Sequence, residues 1–427
     1  MKRLFLFTLL VAIAGGLTSS ARLARADEPK PGKDFFFKPG DRVVFLGDSI
    51  TAQYQYSSYM ELYLTTRFPE GNFTFLNAGI GGDTANGGAG RFQRSVLDEK
   101  PTAITINFGM NDGGYGAFNP NNNKVYVEKT TAMLDMAKKA NARVALVSPN
   151  AIDHRYGGGG LKYLETQKQF YAPLKDIAEK NGVPFVDQYA VTRATLEKMQ
   201  ADDPMAKNTK PFPDAVHTNG QGGILMAHTI LTGLHAPAVV SDVVIEASGA
   251  QPKTTACTVE DVKASDAGVT FTRTDKALPM PLQKDWVAML PYMNQLKDLN
   301  WYGLTVKGLK DGDYTVSIDG KAVGKFSAKE LADGVNLGNV TTGPIWEQGN
   351  KVFQAINAKN GMVGSRFFDV VLFQFPNKEW LKDLAETAAE RRTSELKKRM
   401  EKIEAAQAEV YKLAKPVPHK FEIAPAK

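Results

Sequence analysis

The chain has 427 residues, 43% of them hydrophobic and 10% aromatic, and its 52 Lys and Arg against 46 Asp and Glu give a formal charge of +6. That length admits two or three domains with substantial cores, and the composition excludes wholesale disorder and collagen-like repetition. The basic balance points to an acidic polymer as partner only if it survives removal of any targeting segment.

It does not survive. Lys2-Arg3 precedes an apolar run from Leu4 to about Leu17, and Ala24-Arg25-Ala26 makes a small-x-small cleavage site. These are the three regions of a secretory signal peptide over residues 1–26. The run is shorter than the roughly 20 residues of a spanning helix, and no other stretch approaches that length. The mature chain is therefore expected to be secreted or periplasmic, without a membrane span. Cleavage after Ala26 removes Lys2, Arg3, Arg22 and Arg25 and no acidic residue, so four fewer than 52 against 46 leaves +2. Nothing then argues for nucleic acid. With Cys257 the single cysteine, no intramolecular disulfide can form, and an exported chain must rely on its core. Cys257 itself reads as a buried, inert thiol.

After a linker at 27–40, short apolar runs alternate with helix-like segments. Val43–Leu46, Phe73–Leu76, Ile104–Phe108, Val144–Val147 and Val183–Val186 read as strands, each nearly continuous in apolar character. Strands buried on both faces of a parallel sheet have that character. Between and after them, Tyr54–Arg67, Arg91–Glu99, Val125–Ala140, Leu161–Lys180, Gln188–Met199 and Gly222–Leu231 read as helices. Repeated βα units predict an α/β domain over 41–235, a three-layer α/β/α sandwich around a parallel sheet.

The pattern changes after His235-Ala236-Pro237. Val243–Ala247, Val269–Arg273, Gly303–Val306 and Tyr314–Ile318 alternate with period two, and Asp319-Gly320 turns the last of them into a hairpin with Lys321–Phe326. A smaller β-containing module over 236–376 is expected, with Trp286, Trp301 and Trp346 as core residues rather than a sugar platform. Pro344–Gln374 fits helix and strand alike. Residues 377–427 read as a charged helical tail, with Leu396, Met400, Ile403 and Val410 on one stripe. So short a stripe favours docking on the chain's own body, or a free helix, over a coiled coil.

Four short motifs carry chemistry. Gly47-Asp48-Ser49 follows the first strand, where a serine hydroxyl sits at the ligand-binding edge of a parallel sheet. Asn77–Thr84, with Gly79, Gly81 and Gly82, follows the second, and glycines there let backbone N–H groups approach a bound atom. Gly109-Met110-Asn111-Asp112 follows the third and offers a side-chain amide to developing oxyanion charge. Asp214-Ala215-Val216-His217 precedes the last helix, and its spacing lets Asp214 hold Nδ1–H while Nε2 takes a proton from serine. His154, His228, His235 and His419 lack such a context and read as loop, helix-face or tail residues.

Together and in this order, the four motifs resemble those of the SGNH (GDSL-type) esterases and lipases, over about Asp41–Leu234. The resemblance implies Ser49 as nucleophile, His217 as general base and then acid, and Asp214 as the orienting carboxylate. It implies an oxyanion hole of the Ser49 N–H, the Gly82 N–H and the Asn111 side chain, with Gly81 replacing Gly82 if the loop shifts by one. No metal or cofactor is expected. Export and the absence of a long apolar lid favour a small acyl group on a polar carrier, most simply an acetylated carbohydrate. Asp48, Tyr115 and Phe118 are the candidate substrate contacts, although the two aromatic rings could equally pack against the base of their own loop. The rival readings are a lipase or aryl-esterase of the same family, and an exported glycan-binding or scaffolding protein with an inert hydrolase-like domain.

Overall fold

The computed structural model describes residues 35–156 and 161–426. The signal peptide read at 1–26 and the first part of the 27–40 linker lie outside the described residues. The rest of that linker is not a loose connection: Phe35, Phe36 and Phe37 are all buried, and the Phe36 N–H donates to the Leu234 carbonyl.

The first unit contains β1 (Arg42–Gly47), α1 (Ser49–Ala52), α2 (Gln55–Arg67), β2 (Thr74–Gly79), α3 (Ala85–Ser95), β3 (Ala103–Asn107) and α4 (Pro120–Lys139). It continues through β4 (Arg143–Val147), α5 (Leu161–Tyr171), α6 (Pro173–Asn181), β5 (Phe185–Val186), α7 (Gln188–Asp202) and α8 (Gly220–Gly233). The five strands form one sheet in the order β2-β1-β3-β4-β5, parallel at every pairing. This is the expected α/β fold, with helices flanking the sheet. Local chemistry sets several helix ends. Asn119 caps α4 ahead of Pro120, and Asn219 caps α8 by accepting from the Gly222 N–H. The single helix expected over Leu161–Lys180 is two, because Pro173 has no N–H with which to continue the first.

The second half contains β6 (Val239–Glu246), β7 (Lys253–Thr255), β8 (Cys257–Ser265), β9 (Gly268–Asp275), β10 (Trp301–Lys307), β11 (Asp313–Ile318), β12 (Lys321–Ser327), α9 (Ala328–Asp333) and β13 (Val335–Asn336). Then come α10 (Pro344–Arg366), α11 (Lys382–Leu413) and β14 (His419–Pro425). The strands build two sheets, β13-β10-β6-β7 and β12-β11-β14-β9-β8. One apolar core lies between them, and Cys257 is buried at its margin. A buried network also joins the sheets: Asp275 accepts from Arg273, Ser241 and Tyr302, and the Arg273 guanidinium lies 3.9 Å from the centre of the Tyr302 ring.

Two features depart from the expected partition. The last residues do not belong to a helical tail. His419–Ile423 alternate buried and exposed, and β14 inserts between β9 and β11, antiparallel to both. In addition, Met280–Leu299 and the buried faces of α11 and of α10 from Val352 onward share the core of the first unit, while Ile345 at the start of α10 packs in that of the β-rich module. Val352, Ile356, Val363, Ile403 and Val410 supply that face, so the stripe read on the tail docks on the chain's own body. Tyr411 Oη accepts from the Phe73 N–H just before the edge strand β2. Trp286 is fully buried against Tyr59 of α2. Among the described residues no helix is long and apolar enough to cross a membrane.

Candidate active site

The four motifs meet at the carboxyl end of the parallel sheet. β1 ends at Gly47, and Ser49 is the first residue of α1. Asp48 caps that short helix, its Oδ1 accepting from the Ile50 N–H at 3.0 Å. Ser49 Oγ lies 2.8 Å from His217 Nε2, and His217 Nδ1 lies 2.7 Å from Asp214 Oδ2. The Asp214 carboxylate also accepts from the Val216 and His217 N–H groups, at 3.0 and 2.7 Å. Its partial burial alone would raise its pKa, but these hydrogen bonds outweigh it and hold the carboxyl below its ordinary value. The carboxylate is therefore ionised and can orient the ring. Serine, imidazole and carboxylate form one hydrogen-bonded line in which Nε2 can take the serine proton.

The loop carrying His217 is held by the segment that follows β4. Asn150, fully buried just past β4, donates from Nδ2 to the Val216 carbonyl at 3.2 Å, and the Asp153 N–H donates to the Ala215 carbonyl at 2.9 Å. Asp153 in turn pairs with Arg155, both side chains fully buried. Sequence reasoning missed these supports. The available signal was their place after the fourth strand, the same position that singled out the other motifs.

The candidate oxyanion donors lie on the loops after β1, β2 and β3. Gly82 has φ +73°, a left-handed conformation suited to glycine, and an added Cβ would have nothing within 4 Å. Among the described residues, neither the Ser49 nor the Gly82 N–H has a hydrogen-bond partner. Asn111 Nδ2 donates to the Asp83 carbonyl at 2.9 Å, which ties the amide to the glycine loop. Asp112 accepts from the Ala85 and Gly109 N–H groups and so joins α3 to the loop after β3. Arg91 pairs with Asp83 at 2.8 Å and reaches the Gly47 carbonyl.

Three buried or half-buried carboxylates thus stand close behind the serine. Burial, with the Asp112 and Asp83 charges adding to it, raises Asp48 to about 7. Burial also raises Asp112 to about 6 against the two N–H bonds it accepts.

The expected substrate contacts fare differently. Asp48 is only 2% exposed and spends its carboxylate on the helix cap, so it is not a surface that meets substrate. Tyr115 is half-buried, edge-on to Tyr163, with its hydroxyl 3.2 Å from Asn111 Oδ1. Phe118 packs edge-on to Phe170. Both rings thus brace their own loop. The other histidines lie outside the line: His154 meets Arg193, His228 meets Asp298, and His419 meets Asp319. Among the described residues no group of His, Cys, Asp and Glu is arranged to hold a metal ion.

Residues 45–223 match the GDSL-like Lipase/Acylhydrolase family. An acetylxylan esterase of Geobacillus stearothermophilus is 26% identical over 213 residues, which cover 45% of this chain and 93% of that one. An uncharacterized lipoprotein of Bacillus subtilis (strain 168) is 41% identical over 76 residues, 16% of this chain, so the chain spans only 31% of that relative's length. Among solved structures, a gut microbial diltiazem-metabolizing enzyme has a TM-score of 0.78 at 25% identity, covering 91% of this chain and 98% of that one.

Proposed function

We propose, for a chain that belongs through residues 45–223 to the GDSL-like lipase/acylhydrolase family of ester-hydrolysing enzymes, that Ser49, His217 and Asp214 carry out a two-step hydrolysis of a small acyl ester. The observation that carries this reading is the hydrogen-bonded line from Ser49 Oγ through His217 to Asp214. Ser49 Oγ attacks the ester carbonyl as its proton passes to His217 Nε2. The tetrahedral oxyanion is met by the Ser49 and Gly82 N–H groups and the Asn111 amide. His217 then protonates the departing alcohol, which leaves an acyl-Ser49. Water, giving a proton to His217, attacks the acyl carbon and releases the acid, and the proton returns to Ser49.

The substrate class proposed is an O-acetylated carbohydrate. The named activity of the acetylxylan esterase relative supports it. So does the openness of the site: the Asp214 side chain is 59% exposed, His217 is 36% exposed, and the Gly81–Gly82 rim has open space above it. Such a site leaves room for a bulky carrier to approach. The diltiazem-metabolizing enzyme, similar over both halves of the chain, favours a second reading: a small ester on a drug-sized carrier that is not a sugar. Export, read from residues 1–26, completes the proposal. It is checked by whether the mature N-terminus begins at Asp27.

Ser49→Ala assayed on a chromogenic acetyl ester tests the chemistry. Turnover should fall to background in a folded variant, and undiminished turnover overturns the assignment. A fluorophosphonate probe should label the wild type and spare Ser49→Ala. An inert scaffold would not label at all. Acetate release from acetylated glycans, compared with cleavage of long-chain and aryl esters, separates the substrate readings.

A further inference from the structure

An asparagine amide offers two N–H donors and one acceptor, and it rotates freely unless both ends are held. A donor that stabilises an oxyanion must be oriented before charge develops. In this site the two ends of Asn111 have separate anchors. One Nδ2 hydrogen is given to the Asp83 carbonyl at 2.9 Å, and Oδ1 accepts from the Tyr115 hydroxyl at 3.2 Å. Turning the amide over would set Oδ1 against the Asp83 carbonyl, acceptor against acceptor. The second Nδ2 hydrogen is the one left to serve a ligand.

The Tyr115 hydroxyl is itself held in place. Its ring meets Tyr163 edge-on, with centroids 5.6 Å apart, and the Tyr163 hydroxyl donates to the carbonyl of Gly109, two residues before Asn111. Gly113 lets the two rings close up, since a Cβ there would stand 2.2 Å from the Tyr163 ring. Tyr115 has φ +55°, a left-handed conformation that an aromatic residue rarely adopts and that persists only where surrounding contacts impose it. Burial, with the Asp48 and Asp214 charges adding to it, pushes the phenol well above its ordinary pKa, so the hydroxyl remains a donor.

We propose that Tyr115 is a positioning residue for the oxyanion hole: through its hydrogen bond to Asn111 Oδ1 it fixes which end of the amide faces the reacting carbonyl. This rests on the reading of Asn111 as an oxyanion donor. Tyr115 then acts on kcat through Asn111 and not by touching substrate.

The test is a double-mutant cycle on an acetyl ester, with active sites counted by fluorophosphonate titration so that unfolded molecules do not enter kcat. Tyr115→Phe keeps the ring and its Tyr163 contact and removes only the O–H. It should lower kcat about 3–10-fold, the size of one neutral hydrogen bond, and leave KM within about twofold. Asn111→Ala should lower kcat about 10²–10³-fold, and Tyr115→Phe added to it should cost nothing more. Unchanged kcat in Tyr115→Phe, an additive loss in the double variant, or a raised KM at constant kcat overturns the positioning role alone. Full turnover in Asn111→Ala overturns the oxyanion reading, and the positioning role with it.

Discussion

Lys359 Nζ lies 2.7 Å from Glu61 Oε1, and neither side chain exposes more than 1% of its surface. The pair joins α10 to α2, and Asn360 beside it donates to Glu61 Oε2 and to Ser58 Oγ. Burial pushes Glu61 up and Lys359 down, while their mutual attraction opposes both shifts. A group so placed is costly to orphan and cheap to replace as a pair. Lys359→Met should therefore destabilise the chain by about 3–5 kcal/mol. Lys359→Met with Glu61→Leu should recover most of that loss. Denaturant unfolding of the full chain checks both, and equal losses in the single and double variants would refute the account.

Asp48 makes stability depend on pH. Its carboxyl stands at about 7 in the folded chain because of burial, against about 3.9 when unfolded. Below about pH 4 both states hold the proton, and the stabilising effect of that raised pKa is complete. As pH rises from about 4 to about 7 the unfolded state has lost a proton that the folded state still holds, so stability falls across that window and levels off above it. Asp48→Asn keeps an acceptor for the Ile50 N–H and has no proton to lose. Its stability relative to the wild type should rise between pH 5 and pH 8.5 by on the order of 1–3 kcal/mol. Parallel unfolding curves across that range would count against the buried-acid account.

Gly82 is a conformational requirement with no steric one. Open space surrounds its missing Cβ, yet φ is +73°. Gly82→Ala should cost about 1–2 kcal/mol locally and turn the N–H away from the oxyanion position. The expected result is a kcat loss of about tenfold or more with only a small change in melting temperature. A variant with wild-type kcat would shift the donor role to Gly81.

Asn150 tests how His217 is aimed. Asn150→Ala removes the bond to the Val216 carbonyl from a fully buried position. Stability should fall by about 1–3 kcal/mol. kcat should fall about tenfold with KM nearly constant, since a small misplacement of the imidazole suffices. Steady-state kinetics together with a thermal melt separate these effects.

The sequence by itself determined the first sheet and the loops at its edge. β1 to β4 are buried on both faces almost throughout, so they appear as nearly continuous apolar runs, while the edge strand β5 keeps Phe185 half-buried; β1 to β5 fall within a few residues of those runs. The residues after those runs and before α8, Ser49, Gly82, Asn111, Asp214 and His217, were readable because each belongs to a short local motif. Only the tertiary structure decided what covers that unit. A helical stripe shows that a face is buried but not against what, so α10 and α11 could be assigned no partner before Glu61 met Lys359, 298 positions along the chain. The alternation at His419–Ile423 was too short to claim a sheet until β9 and β11 were seen to leave a place between them. The same holds at the site, where Asn150 reaches Val216 and Tyr115 reaches Asn111. Local pattern records which side of an element is buried. The neighbour on that side is set by long-range packing, which no single segment contains.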